Sequence, residues 1–394
     1  MKLLKSLTNP TRWPRGATLV LITVLSFATM PAMADDPIRI GAVVSATGPG
    51  SFLGDPASKA LELMVDQVNQ EGGVLGRQLE LVLYDDASNS ERARTMMQRL
   101  LTQDRASVVI GSNLTANSMA METLAARHNV PQVAMSGGDI LTNPTKKWLF
   151  TIPESGMVAA QVTYEHMKKN NVSKIALLSS NAGAGRAERI TYLDQAEKYD
   201  DIEVVMDETY ARGDSDMTAQ LTRIRSNEDV QAIINLDAGN QPAIVARNHM
   251  ALDIDVPLYS LHSQAAPEFV SLAGRAAEGV LVPGPAMVVA EQLPQGAPVR
   301  EIAMRFRKLY QDRYDREPNM HAGYGHDALL VVVDAIRRAG STDPASIRDS
   351  LEQTRDLVGV TSIFAYKPNR HGGVFDERGM RLLEVRGGNF VLAD

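Results

Sequence analysis

Two hydroxyl-bearing, glycine-bearing stretches are the residues best suited to chemistry. Gly111, Ser112, Asn113, Leu114, Thr115, Ala116, Asn117 and Ser118 follow one β-branched run, and Ser136, Gly137, Gly138 and Asp139 follow the next. Hydroxyls, an amide and unpaired N–H groups ahead of a helix can grip a carboxylate, and glycine lets a small ligand approach the backbone. Either stretch alone is more often a plain helix cap. Together, at one edge of one sheet, Asn113, Thr115, Ser136, Gly137 and Gly138 would form a carboxylate clasp.

Other constellations are weaker. Gly183, Gly185 and Asp207 imitate a dinucleotide fingerprint, but Glu188 stands where close helix–strand packing requires a small residue, so no nucleotide cofactor is expected. The same stretch is either a flexible turn or a place where Arg186 meets an anion at the cleft. His321 and His326, with Asp327, could be a metal corner, yet a spacing of five turns the two rings to different helix faces, and no metal is expected. His262 follows an apolar run, Val256–Ser260, and is either a ligand contact or a solvated loop residue. There is no Gly-x-Ser-x-Gly elbow, no His-Glu-x-x-His and no cysteine, so catalysis is not expected.

These loops need strands to carry them. The chain alternates short β-branched runs with amphipathic stretches, the pattern of parallel sheets with crossover helices. Strands are expected at Ile38–Val44, Leu79–Tyr84, Ser107–Ile110 and Pro131–Met135, with helices at Asp55–Asn69, Ser90–Thr102 and Asn117–His128 between them. A second series restarts after Pro153, with strands at Lys174–Leu178, Ile202–Met206 and Ala232–Leu236 and helices at Met157–Lys169, Ala187–Tyr199, Met217–Arg225 and Pro242–Leu252. Two long helices, Val299–Tyr314 and Tyr324–Arg338, have no strand of their own until about Val360–Phe364 and should pack on an earlier sheet. The fold class is therefore α/β, two doubly wound parallel-sheet lobes, with the chain crossing between them near Thr151–Glu154, Pro283–Ala286 and Thr361–Ala365. The lobes would comprise residues 35–152 plus 285–362 and 153–284 plus 363–394. In such sheets ligands bind at the carboxyl ends of strands, where all the candidate loops lie.

The first 34 residues read as an address. Lys2, Lys5, Arg12 and Arg15 precede an apolar run from Ala17 to Met30, and Ala32, Met33 and Ala34 give a small-x-small cleavage pattern, so a signal peptide cut after Ala34 is expected. The run is shorter than the roughly 20 residues of a spanning helix. The 394-residue chain is 44% hydrophobic with a net charge of −7, and losing four basic residues makes the exported part more acidic still. Nucleic acid is a poor partner for such a surface.

From Ile38 the chain reads Ile-Arg-Ile-Gly-Ala-Val-Val-Ser-Ala-Thr-Gly-Pro, with Gly54 beyond it. Then come Asn69, Glu71 to Arg77 (Glu-Gly-Gly-Val-Leu-Gly-Arg), and Tyr84, Asp85 and Asp86. Further on are Trp148 and Phe150, Asp214, Asp216 to Leu221, Ala277 to Val280, Ala290 to Pro294, and His326 to Ala328. In this order the motifs resemble the periplasmic leucine/isoleucine/valine-binding protein family, which supplies ABC importers of the branched-chain amino acid type. The resemblance runs over essentially the whole exported chain. It implies a type I periplasmic binding fold closing on ligand like a hinge, a periplasmic location and permease subunits as partners; a monomer is the default expectation.

The resemblance also implies site residues. Thr115 matches the hydroxyl that holds the ligand carboxylate, Ser136, Gly137 and Gly138 match the next loop, and the aromatic wall falls on Phe52 or Leu53. Gly138 stands where relatives carry a threonine. The acidic partner of the ligand ammonium aligns with His262, its tyrosine neighbour with Ala238, a further aromatic with Ala184, and another tyrosine with His326 beside Tyr324. A cysteine pair of some relatives is replaced by Ser88 and Leu114. A buried ammonium needs an ionised partner, which neutral histidine does not supply. The expected ligand is therefore a carboxylate without an α-amino group, aromatic acids first, unless Asp237 or Asp139 reaches the cleft and restores amino-acid binding. A ligand-sensing module for a receptor is the alternative class.

Overall fold

The computed structural model describes residues 36–181, 183–211, 213–374 and 379–393. The expected leader and its cleavage point lie outside these residues. The first sheet is built from β1 (Ile38–Val44), β2 (Leu79–Asp85), β3 (Val108–Gly111), β4 (Gln132–Ala134) and β5 (Leu149–Thr151), in the order β2-β1-β3-β4-β5. Every pairing is parallel, with Ile38 opposite Leu79 and Ile40 opposite Val108. β1 buries all its residues but Arg39, as a central strand covered on both faces must.

Helices α1 (Ser51–Gln70), α2 (Ser90–Thr102) and α3 (Thr115–His128) connect these strands. α1 starts a turn earlier than the apolar spacing indicates, and buries Ala57, Ala60, Leu61, Val65 and Val68 on one face. The two strandless helices are α9 (Pro298–Tyr314) and α10 (Met320–Ala339). α10 begins at Met320 rather than Tyr324 because Asn319 caps it, its Oδ1 accepting from His321 N and Ala322 N at 3.1 Å. It packs on α1 so closely that a Cβ on Gly325 would sit 2.5 Å from the Ala57 carbonyl oxygen. This late helix thus covers the first sheet.

The second sheet comprises β6 (Lys174–Ser180), β7 (Glu203–Tyr210), β8 (Ala232–Leu236), β9 (Leu258–Ser260), β10 (Leu281–Pro285), β13 (Met380–Arg386) and β14 (Asn389–Leu392). Its order is β14-β13-β10-β9-β8-β6-β7. Helices α4 (Gly156–Lys169), α5 (Gly183–Ala196), α6 (Thr218–Arg225), α7 (Gln241–Ala251) and α8 (Pro267–Ala273) connect its strands. β13 runs antiparallel to β10 and folds back on β14, a hairpin absent from the sequence-based expectation. A small ladder of β11 (Leu357–Val358) and β12 (Ile363–Phe364) follows α11 (Pro344–Glu352).

The chain passes between the sheets three times. The first passage, residues 152–155, leads from β5 to α4, and the second leaves β10 at Pro285. The third comes later than Thr361–Ala365. Residues up to Gly373 still belong with the first sheet, since Thr151 N donates to His371 O at 3.0 Å and Gly373 N donates to Thr151 O at 3.1 Å. Only from Met380 does the chain pair with β10.

Candidate functional site

The loop after β3 is held by a buried polar network. Asp86 Oδ1 accepts from Ser45 Oγ and from Ser88 N, both at 2.8 Å, while its Oδ2 accepts from Ser112 Oγ at 2.6 Å. Three successive strand ends, those of β1, β2 and β3, are thereby fixed relative to one another. Asn113 belongs to the same scaffold: its Oδ1 accepts from Ser45 N at 3.2 Å, which fastens the loop to the end of β1. Ser118 Oγ extends the network to Ser136 Oγ at 2.8 Å. Ser88 and Leu114, the two positions aligned with a cysteine pair, both flank Gly50.

The clasp residues converge beside this scaffold. Thr115 is the first residue of α3, half-buried, with no side-chain bond capping the helix. A Cβ on Gly138 would overlap the Thr115 side chain at 2.6 Å, so Thr115 fills the space a side chain at 138 would take. Gly137 packs on the first passage, where its Cβ would lie 2.7 Å from the Glu154 carbonyl oxygen. Ser136 is buried. Thr115, Ser136, Gly137 and Gly138 therefore come together at the carboxyl edge of the first sheet.

An aromatic wall stands on the same side. Phe52, 52% exposed near the start of α1, meets His321 edge-on at 6.1 Å between centroids, and His321 meets Tyr324 at 5.7 Å. Burial pushes His321 down to about 4, leaving a neutral ring. Tyr324 is buried, and its hydroxyl donates to Glu154 Oε2 at 3.0 Å. His326 turns away, to Asp327 Oδ1 at 2.8 Å and to the Phe306 ring.

On the second sheet Asp237 follows β8, buried, with Tyr210 Oη donating to Oδ2 at 3.1 Å and Ala238 N to Oδ1 at 2.8 Å. His262 follows β9, its Nδ1 buried without a partner among the described residues, and burial drives its ring down to about 4. It is a neutral imidazole, unable to neutralise an ammonium. Arg186 lies exposed on the first turn of α5. The two sheet edges meet where Thr191 Oγ1 of α5 donates to Asp139 Oδ2 at 2.8 Å.

Sequence reasoning missed Glu154 and Glu188. Burial, with a contribution from Asp327, lifts Glu154 to about 7 against the hydrogen bond from Tyr324. Burial and then Asp139 lift Glu188 to about 8. In the sequence Glu188 stands out only as the residue that spoils a dinucleotide-like stretch and Glu154 only as the end of a crossing, so no spacing marks either as a titrating group. The sign of the Glu154 effect is testable. Its native form keeps the proton that the unfolded chain releases near pH 4.5, so stability falls as pH rises from there to about 7. Glu154→Gln should gain on the order of 2 kcal/mol over the parent between pH 5 and pH 8 in paired urea melts. An equal difference at both pH values would contradict this.

Residues 37–389 match the periplasmic binding protein family. The chain belongs to that family. This periplasmic binding protein is 24% identical over 335 residues to the leucine-, isoleucine-, valine-, threonine- and alanine-binding protein of Pseudomonas aeruginosa, covering 84% of this chain and 86% of the relative. Among solved structures, an extracellular ligand-binding receptor from Rhodopseudomonas palustris HaA2 superposes with a TM-score of 0.79 at 27% identity, covering 91% of this chain and 100% of that one. A branched-chain amino acid transporter substrate-binding protein from Streptococcus pneumoniae, solved with isoleucine, shares the fold with a TM-score of 0.75 at 22% identity, over 90% and 98% of the two chains. The two-lobed type I periplasmic binding architecture follows, and the family is one of periplasmic ligand-binding proteins.

Proposed function

We propose that this protein is the solute-binding component of an ABC importer of the branched-chain amino acid type, capturing a small organic carboxylate between its lobes and presenting it to permease subunits. It acts as an exported monomer cut after Ala34, without catalysis, cofactor or metal. Residues 36–152 with 285–373 form one lobe and 153–284 with 379–393 the other. The observation that carries the ligand class is the pairing of an intact clasp with a neutral partner. Thr115, Ser136, Gly137 and Gly138 are assembled to receive a carboxylate, whereas the residue aligned with the ammonium partner is uncharged His262. A carboxylate lacking an α-amino group fits this best, aromatic acids first, with Phe52 as a face for the ring. A second reading, an amino acid, is favoured by the name of the Pseudomonas relative and by Asp139, which does reach the seam between the sheets.

Thermal unfolding against benzoate- and cinnamate-type acids, aliphatic acids, leucine, valine, polar amino acids and amides separates the readings. A ligand at a hundred times its dissociation constant adds about 2.7 kcal/mol and moves the midpoint by several degrees. Stabilisation by acids alone supports the first reading, and His262→Glu should then admit amino acids. Stabilisation by leucine or valine alone replaces it with the second. No shift from any compound would remove the carboxylate-clasp assignment.

A further inference from the structure

Asp139 lies on the short turn after β4, and Thr191 on α5 of the other sheet; their hydrogen bond spans the seam. Glu188 is one turn before Thr191 on the same helix. Its carboxyl lies over the start of α4, where a Cβ on Gly156 would come 2.0 Å from Oε2, and Oε2 is buried without a partner among the described residues. Asp139 is close enough to raise Glu188, and burial raises Asp139 itself, with Thr191 only partly opposing. Two carboxyls from opposite lobes thus meet at one turn of α5, both partly withdrawn from water.

Among the described residues no side-chain cation is bonded to either carboxyl. Arg189, next on α5, is bound to Asp207 on β7 through Nε at 2.7 Å. Lys146, on the loop beyond Asp139, gives its ammonium to the carbonyls of Ile140, Leu141 and Pro144. Arg186 is exposed on the first turn of α5. From α4 the amino end, at Gly156, faces Glu188. Glu154 at the passage faces Tyr324 and Asp327, and Tyr192 beside Glu188 is a buried, neutral phenol. Two carboxylates without a cation repel when desolvated together, and a proton from solvent removes the repulsion.

We propose that the lobes come together with uptake of a proton at the Asp139–Glu188 seam, so that falling pH favours the closed form. When the lobes part, both carboxyls regain water and release it. The proposal rests on the reading of the cleft as one that opens and closes, but it needs no ligand to be tested.

The chain has no cysteine, so Arg94→Cys on α2 and Glu228→Cys after α6, both exposed, give one spin label on each lobe. Inter-label distances in the ligand-free protein should shift toward the short population as pH falls from 8 to 6, the closing constant rising up to about tenfold per pH unit. Glu188→Gln should hold the short population at both pH values, and Asp139→Asn, which keeps an acceptor for Thr191, should flatten the dependence likewise. Distances independent of pH in the parent, or an undiminished dependence in both variants, would overturn the proposal. A failed ligand screen would leave these distances unchanged and touch only the proposed function.

Discussion

Asp327→Ala should cost about 4 kcal/mol of folding free energy. Asp327 is fully buried on α10, and its carboxylate accepts from Val360 N at 2.8 Å, Thr361 N at 2.8 Å, Thr361 Oγ1 at 2.5 Å and His326 Nδ1 at 2.8 Å. Alanine strands all four donors out of reach of water, and each unmet buried donor costs about 1–3 kcal/mol before the surroundings relax. Asparagine keeps one acceptor oxygen and should lose roughly half as much. Urea unfolding followed by circular dichroism measures both, and a loss below about 1 kcal/mol for alanine would show that the 360–361 turn is held by something else.

Gly111→Ala should be damaging too, for a backbone reason. Gly111 has φ +121, and a Cβ there would lie 1.9 Å from the Val43 carbonyl oxygen, so β1 and β3 would have to part at the sheet's centre. Strain of this kind, added to lost ladder bonds, is expected to cost about 3 kcal/mol or more. The comparison is Gly72→Ala, where φ is +100 but nothing lies within 4 Å, so only the conformational penalty of about 1–2 kcal/mol applies. Because Ser112 and Asn113 follow directly, the first variant should also lose ligand stabilisation in thermal melts. Equal losses for the two substitutions would refute the steric argument.

The parallel strands and their helices were legible because β-branched runs and 3.6-residue spacing are local signals. Ala232–Leu236 and Ser90–Thr102 fall where the text places them. What was lost had its cause elsewhere in the chain. The hairpin of β13 and β14 interleaves Arg381, Glu384 and Arg386 with apolar residues, and its place beside β10 depends on a partner a hundred residues away. The third passage was placed early because nothing local reveals that His371 and Gly373 return to Thr151. At the site, hydroxyls and glycines marked the two loops that converge at the carboxyl edge of the first sheet. Asn113 and Tyr324, equally plausible as text, proved to be engaged with Ser45 and Glu154. Glu154 and Glu188 gain their character from burial alone, which no single-residue pattern encodes.

The covering of α1 by α10 and the pairing of β10 with β13 have a consequence for how the molecule comes into being. Residues 51–70 wait for residues 320–339, and residues 281–285 wait for residues 380–386. A chain emerging from its amino end can therefore complete neither lobe until nearly all of it is available, and contacts of such long sequence separation form slowly. Maturation is accordingly a late, whole-chain event, and a product truncated before β13 would expose the edge of β10 as an unpaired template for aggregation.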